Sequence, residues 1–194
     1  SVKFYLNGEL ANELEIPKNV TKIGDYAFYG FSSLTKIAIP NSVKHIGNRA
    51  FFECSGLTEI TIPDSIASIG EGAFSFCHAL EYITLGDGLV YIYGAAFYEC
   101  TALKEIIIPE GITSISTLAF NECDQIKYVE FPSTINYVGQ ACFAWCDNLV
   151  LVSFDKVDAK IRNAIANGET YTKVTFNNCG TFKACPKLVA LSVP

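Results

Sequence analysis

A spacing of 23 residues runs through this chain and decides what it can fold into. Apolar pairs separated by one residue recur at that interval: Leu14 and Ile16, Ile37 and Ile39, Ile60 and Ile62, Ile83 and Leu85, Ile106 and Ile108, Val129 and Phe131, Val152 and Phe154. Three residues ahead of each pair stands Leu34, Leu57, Leu80, Leu103, Ile126 or Leu149, and proline follows it at Pro17, Pro40, Pro63, Pro109 and Pro132. An Ala-Phe pair closes each unit, from Ala27-Phe28 to Ala119-Phe120, with Cys142-Phe143 as the variant. So many columns at one period mark a repeat array, in which no unit buries its apolar face alone and stacking builds the core.

Each unit reads as one short strand, a proline stop, a turn and a compact segment. Proline fits the strand end because it cannot donate to a ladder. Gly24, Gly47, Gly70 and Gly139 are expected to supply a backbone turn, and the Gly-x-x-Ala-Phe stretch has room for a helical turn or two. The residues therefore predict an α/β repeat solenoid with a parallel sheet on its concave face and short helical turns or loops on the convex side. Residues 1–16 read as a hairpin cap, with Asn7-Gly8 as its two-residue turn, and a first rung. Residues 17–154 are the regular repeats, and 155–194 diverge. There Val157, Ile161 and Ile165, followed by Gly168, predict a short helix near 156–167. Val174 and Phe176 fall 22 residues past Val152 and Phe154, while Phe182, Cys185, Leu188 and Leu191 restore the spacing of Phe143, Cys146, Leu149 and Val152. A chain without methionine, ending on Val193-Pro194, reads as a fragment whose array continues and whose targeting signal lies elsewhere.

The period also disarms residues that look chemical. Cys54, Cys77, Cys100, Cys123 and Cys146 form one column, with Phe31 in the same slot of an earlier unit. A column spreads thiols along an axis, whereas a metal site needs ligands converging on a point, so these read as small buried hydrophobes. Cys142, Cys179 and Cys185 are the candidates for a local bridge, foremost Cys179 with Cys185. His45 and His78 occupy different slots and have no nucleophile at a recognisable spacing, so they read as surface residues. No catalytic, metal-binding or cofactor-binding motif emerges. The net charge of −6 disfavours a nucleic-acid partner, and no apolar run is long enough to span a bilayer.

What remains for function is the strand face turned away from the core. One column runs Glu13, Lys36, Glu59, Tyr82, Glu105, Tyr128, Leu151, and its neighbour runs Glu15, Ala38, Thr61, Thr84, Ile107, Glu130, Ser153. Core columns are nearly uniform, while these change chemistry from unit to unit. Lys36, Glu59, Tyr82, Glu105, Ile107, Tyr128, Glu130 and Leu151 are accordingly the candidate partner-binding residues, with exposed aromatics beside acids at their centre. Phe52, Phe76, Tyr98 and Trp145 mark a second aromatic set on the convex side or a flank.

The segment Ile39 to Pro63, Ile-Pro-x-Ser-Val-x-x-Ile-Gly-x-x-Ala-Phe-x-x-Cys-x-x-Leu-x-x-Ile-x-Ile-Pro, resembles the BspA-like leucine-rich repeats. The resemblance covers about residues 4–154 closely and the remainder loosely. It implies a right-handed superhelix within larger surface proteins of host-associated bacteria and some protists, and roles in adhesion and protein contact. The expectation is a non-catalytic, extracellular or cell-surface binding module that recognises a protein or host-surface macromolecule through its concave sheet. The alternative is a spacer array that carries other domains.

Overall fold

A computed structural model describes residues 5–6, 9–10, 12–153, 175–176, 180–188 and 190–191. Its strands, numbered in chain order, fall into two parallel series. The first is built from three-residue strands except for its last member: β3 (Glu13–Glu15), β5 (Lys36–Ala38), β7 (Glu59–Thr61) and β9 (Tyr82–Thr84) form one sheet. Further along, β12 (Tyr128–Glu130), β14 (Leu151–Ser153) and β16 (Ala190–Leu191) form another. We call the side they share the first face. The second series has two-residue strands, β4 (Lys22–Ile23), β6 (His45–Ile46), β8 (Ser68–Ile69), β10 (Tyr91–Ile92), β11 (Ser114–Ile115), β13 (Tyr137–Val138) and β15 (Thr175–Phe176), in one continuous sheet. Before them, β1 (Tyr5–Leu6) pairs antiparallel with β2 (Glu9–Leu10).

Pairing joins equivalent positions of successive units, as in Glu13 with Lys36 or Tyr91 with Ser114, so one turn of chain is one rung. The second strand of each rung went unseen in the sequence because two residues are too short to show alternation. Only one of them, such as Ile46 or Ile69, is buried.

No helix occurs among the described residues, which corrects the expected α/β character and the helical turns. The Ala-Phe segment shows why. Tyr26, Phe28 and Gly30 send their N–H groups to the next rung, to the carbonyls of Asn48, Ala50 and Phe52. The residues between them, Ala27, Tyr29 and Phe31, donate back three positions within their own turn. Every second amide is thus taken by a neighbouring rung, and an unbroken i to i−4 ladder cannot form. Two columns of left-handed residues reinforce this: Tyr26, Arg49, Gly72, Ala95, Leu118 and Ala141, then Gly30, Glu53, Phe76, Glu99, Glu122 and Trp145. The helix expected near 156–167 lies outside the described residues.

The glycines also do a different job from the one expected. Gly47, Gly70 and Gly139 do not have positive φ; a Cβ at Gly70 would lie 2.6 Å from Gly47 C, and one at Gly139 would lie 2.3 Å from Thr117 N. Their role is close approach between rungs, while the left-handed turn falls mostly on residues with side chains.

Inside, Phe28, Phe51, Phe74, Phe97, Phe120 and Phe143 stack as a continuous column with ring centroids 5.0 to 5.3 Å apart. Each such pair adds about 0.5–1.5 kcal/mol beyond the area it buries. Phe182 extends the column at 6.0 Å, and Leu151 pairs with Ala190, so the restored spacing near the end does continue the array. Phe176 differs from its sequence reading. It pairs with Val138 in the second series, so it does not continue the first-series column that its spacing suggested.

Candidate functional site

The interior thiols are engaged by the backbone of neighbouring rungs. Each column thiol donates to the carbonyl of the phenylalanine one rung back: Cys54 to Phe28 at 3.1 Å, Cys77 to Phe51 and Cys100 to Phe74 at 3.2 Å, Cys123 to Phe97 and Cys146 to Phe120 at 3.3 Å. Cys185 continues the pattern, 3.1 Å from the Phe143 carbonyl. Burial pushes the thiols of Cys54 and Cys100 up to about 12 and raises those of Cys77, Cys123, Cys142 and Cys146 as well. Thiols held neutral and buried are poor nucleophiles and poor ligands. Cys179, and with it the expected bridge to Cys185, lies outside the described residues. Among the described residues, no three His, Cys, Asp or Glu side chains converge as metal ligands. His78 is exposed and 3.7 Å from Glu99, and His45 is half-buried on the second series.

The rungs carry small side-chain ties on their surfaces. The Asp25 carboxylate accepts from the Asn48 amide, the Asn48 side-chain oxygen from Glu71, and Asp64 from Asp87, each at 2.9 Å. Stacking therefore satisfies polar groups as well as apolar ones.

On the first face, all eight candidate residues sit on one side of the sheet series. Lys36 and Glu59 are exposed and joined at 2.9 Å, so they form an ordinary surface ion pair. At the centre the surface turns apolar: Tyr82 is 51% exposed, Ile107 72% and Tyr128 44%. Together with Lys104, Glu105, Ile106, Ile108, Lys127 and Glu130 they line a groove of about 400 Å³. The Lys104 ammonium lies 5.1 Å from the Tyr82 ring centroid and pairs with the Glu81 carboxylate. Leu151 is exposed one rung further, while Ser153 is buried and leaves the outward column.

This groove exists because the first series is interrupted. The rung between β9 and β12 keeps only a single bridge, Glu105 with Tyr82, and Ile106–Ile108 belong to no strand. Along the series, Thr35, Thr58, Glu81, Lys104 and Val150 each donate to the carbonyl one rung earlier. Lys127 is the exception: among the described residues its N–H has no partner on Lys104. Elsewhere the same two rungs stay closed, with Ser114 paired to Tyr137 and the Phe120 and Phe143 rings 5.1 Å apart. The opening is confined to the first face. Sequence reasoning missed it, and with it Lys104 and Lys127. The available signals were the run Ile106-Ile107-Ile108, which breaks alternation, and Phe131, the first aromatic in a column of Ile16, Ile39, Ile62, Leu85 and Ile108.

The second aromatic set forms a row on a flank. Tyr29 stacks on Phe52 at 4.9 Å, Phe52 meets Phe76 at 5.1 Å, and Phe76 meets Tyr98 edge-on at 5.3 Å. Trp145 stands exposed beyond them. Arg49 covers the near end, with its guanidinium 5.7 Å from the Phe52 ring and 6.0 Å from Tyr26.

A stack of rungs with parallel strands, a phenylalanine column and a variable outer face defines a solenoid of the leucine-rich-repeat kind. The chain matches the BspA type leucine-rich repeat region in six copies, over residues 3–95 and 77–189, and it belongs to that family. Among solved structures it is similar to a leucine-rich repeat protein from Eubacterium ventriosum (TM-score 0.72, 25% identity), covering 78% of this chain and 41% of that one. It also resembles one from Bacteroides ovatus (TM-score 0.56, 25% identity), covering 91% of this chain and 54% of that one. The fold is shared too with a T. pallidum leucine-rich repeat protein (TM-score 0.60, 22% identity), covering 92% of this chain and 78% of that one. The chain thus spans less than half of the first of these relatives. No curated protein matches it.

Proposed function

We propose that this array is a non-catalytic protein-interaction module of a bacterial surface protein, and that its partner docks on the first face around Tyr82, Ile107 and Tyr128. The observation that carries this reading is the groove between those three side chains. It is an exposed apolar centre ringed by Lys104, Lys127, Glu105 and Glu130. Aromatic anchors inside a charged rim are the anatomy of protein interfaces, and binding energy concentrates in such anchors. Family membership supports the class of function.

The test is a solid-phase screen of extracellular-matrix proteins and bacterial and host cell surfaces with the intact chain. Binding to at least one partner is expected, weakened about tenfold or more in the Tyr82→Ala, Tyr128→Ala double variant. Binding that the double variant retains in full would move the interface elsewhere, with the Tyr29–Trp145 flank next in line. Complete inertness across the screen would favour the spacer reading.

A further inference from the structure

Resting on the first-face reading, we infer that the groove between Lys104 and Tyr128 captures an extended segment of polypeptide, whose main chain pairs with the open edge of the interrupted sheet. Three observations carry this. The amides of Lys127 and Tyr128 and the carbonyl of Lys104 make no hydrogen bond across the seam among the described residues, although the corresponding amides of Val150 and Leu151 both bond to Lys127. Ile106 and Ile108 line the groove while each residue is almost wholly buried, so Ile107 alone projects between them. Finally, Ile107 stands beside this edge as an apolar seat, with Tyr82 and Tyr128 on either side.

An open strand edge is a template for another strand: main-chain bonds supply affinity, and alternate side chains supply selectivity. The chemistry around this edge selects a polypeptide over the other polymers a surface protein meets. The rim carries both signs, with Lys104 and Lys127 against Glu105 and Glu130, on a chain of net charge −6. That pattern disfavours nucleic acids and polyanionic glycans and suits a neutral main chain with mixed side chains. The seam is also local, because the second series and the phenylalanine column hold the same two rungs together. A peptide therefore meets a preorganised edge, which lowers the ordering cost of binding. Beside the seam, Phe131 fills a slot held by Ile or Leu in the preceding rungs and packs edge-on against Phe143 at 5.9 Å.

The experiment uses random peptides displayed on phage, selected on the intact chain and counter-selected on Ile107→Asp. Peptides with extended propensity are expected to bind the wild type about tenfold or more tightly than the variant. They should lose binding when one main-chain amide is N-methylated, and they should protect the Lys127 and Tyr128 amides from deuterium exchange. Amide protection is read on the wild type, so it stands even if Ile107→Asp perturbs folding. Failure to select any peptide that distinguishes the two chains would overturn the proposal. So would selected peptides indifferent to N-methylation that leave those amides unprotected. Either failure, alongside partner binding through Tyr82 and Tyr128, would remove strand capture while leaving the first face as the interface.

Discussion

Raising the pH above about 9 should destabilise this protein steeply, because its buried thiols can ionise only when it opens. Six cysteines, Cys54, Cys77, Cys100, Cys123, Cys142 and Cys146, are buried with free thiols. Burial raises all of their pKa values above the ordinary 9.0, to about 12 for Cys54 and Cys100. Below 9 both states hold the proton and these groups contribute no pH dependence. Above 9 the unfolded chain releases protons that the folded chain keeps, so the folded state binds more protons and stability falls as pH rises. By pH 10 each thiol costs on the order of 1 kcal/mol of stability, so the buried set together removes a large part of the stability of an ordinary domain. The assay is urea denaturation under reducing conditions, followed by far-UV circular dichroism and Trp145 fluorescence at each pH from neutral to 10. The midpoint should hold to about pH 8.5 and then drop steeply, and Cys100→Ala should flatten the drop by roughly one thiol's share. A midpoint that stays level to pH 10 would show that the thiols ionise within the folded column and would refute the reasoning.

Other substitutions probe the rungs individually. Gly72→Ala places a Cβ on a residue at φ +60, 3.3 Å from the Arg49 side chain, and should cost about 1–2 kcal/mol in chemical denaturation. Ala95→Gly, in the same left-handed column, should be neutral or slightly stabilising by the same measurement. Phe97→Ala removes a ring stacked on both sides and should cost about 3–5 kcal/mol, more than Phe28→Ala nearer the start of the column. Phe131→Ile should close the seam, raising protection of the Lys127 amide and weakening any peptide that depends on Ile107.

The repeat was legible because its columns repeat: the Phe stack, the Cys ladder and the first-series strands follow from spacing alone. What spacing could not show was hydrogen bonding between rungs. The Ala-Phe segment has a composition that suits a helical turn, yet its alternate amides bond to the next rung, and only a stacked structure reveals that competition. Gly47 and Gly70 were recognisable as required, but the cause is an approach of backbones from different rungs, which no local sequence window contains. The outward set from Lys36 to Leu151 was readable from alternation. The seam at its centre was not, because it reflects a missing bond between Lys127 and Lys104, and pattern reasoning assumes every rung pairs like its neighbours.

That missing bond is open to direct observation without any ligand. In native-state hydrogen exchange, the amides of Lys104 and Val150, each bonded to the preceding rung, serve as internal references for Lys127. An open seam predicts that Lys127 exchanges about a hundredfold or more faster than both, while Asn136, on the closed side of the same rung, stays protected. Equal protection of Lys127, Lys104 and Val150 would mean that the first face is a continuous sheet. In that case there is no groove of this kind for a partner to enter.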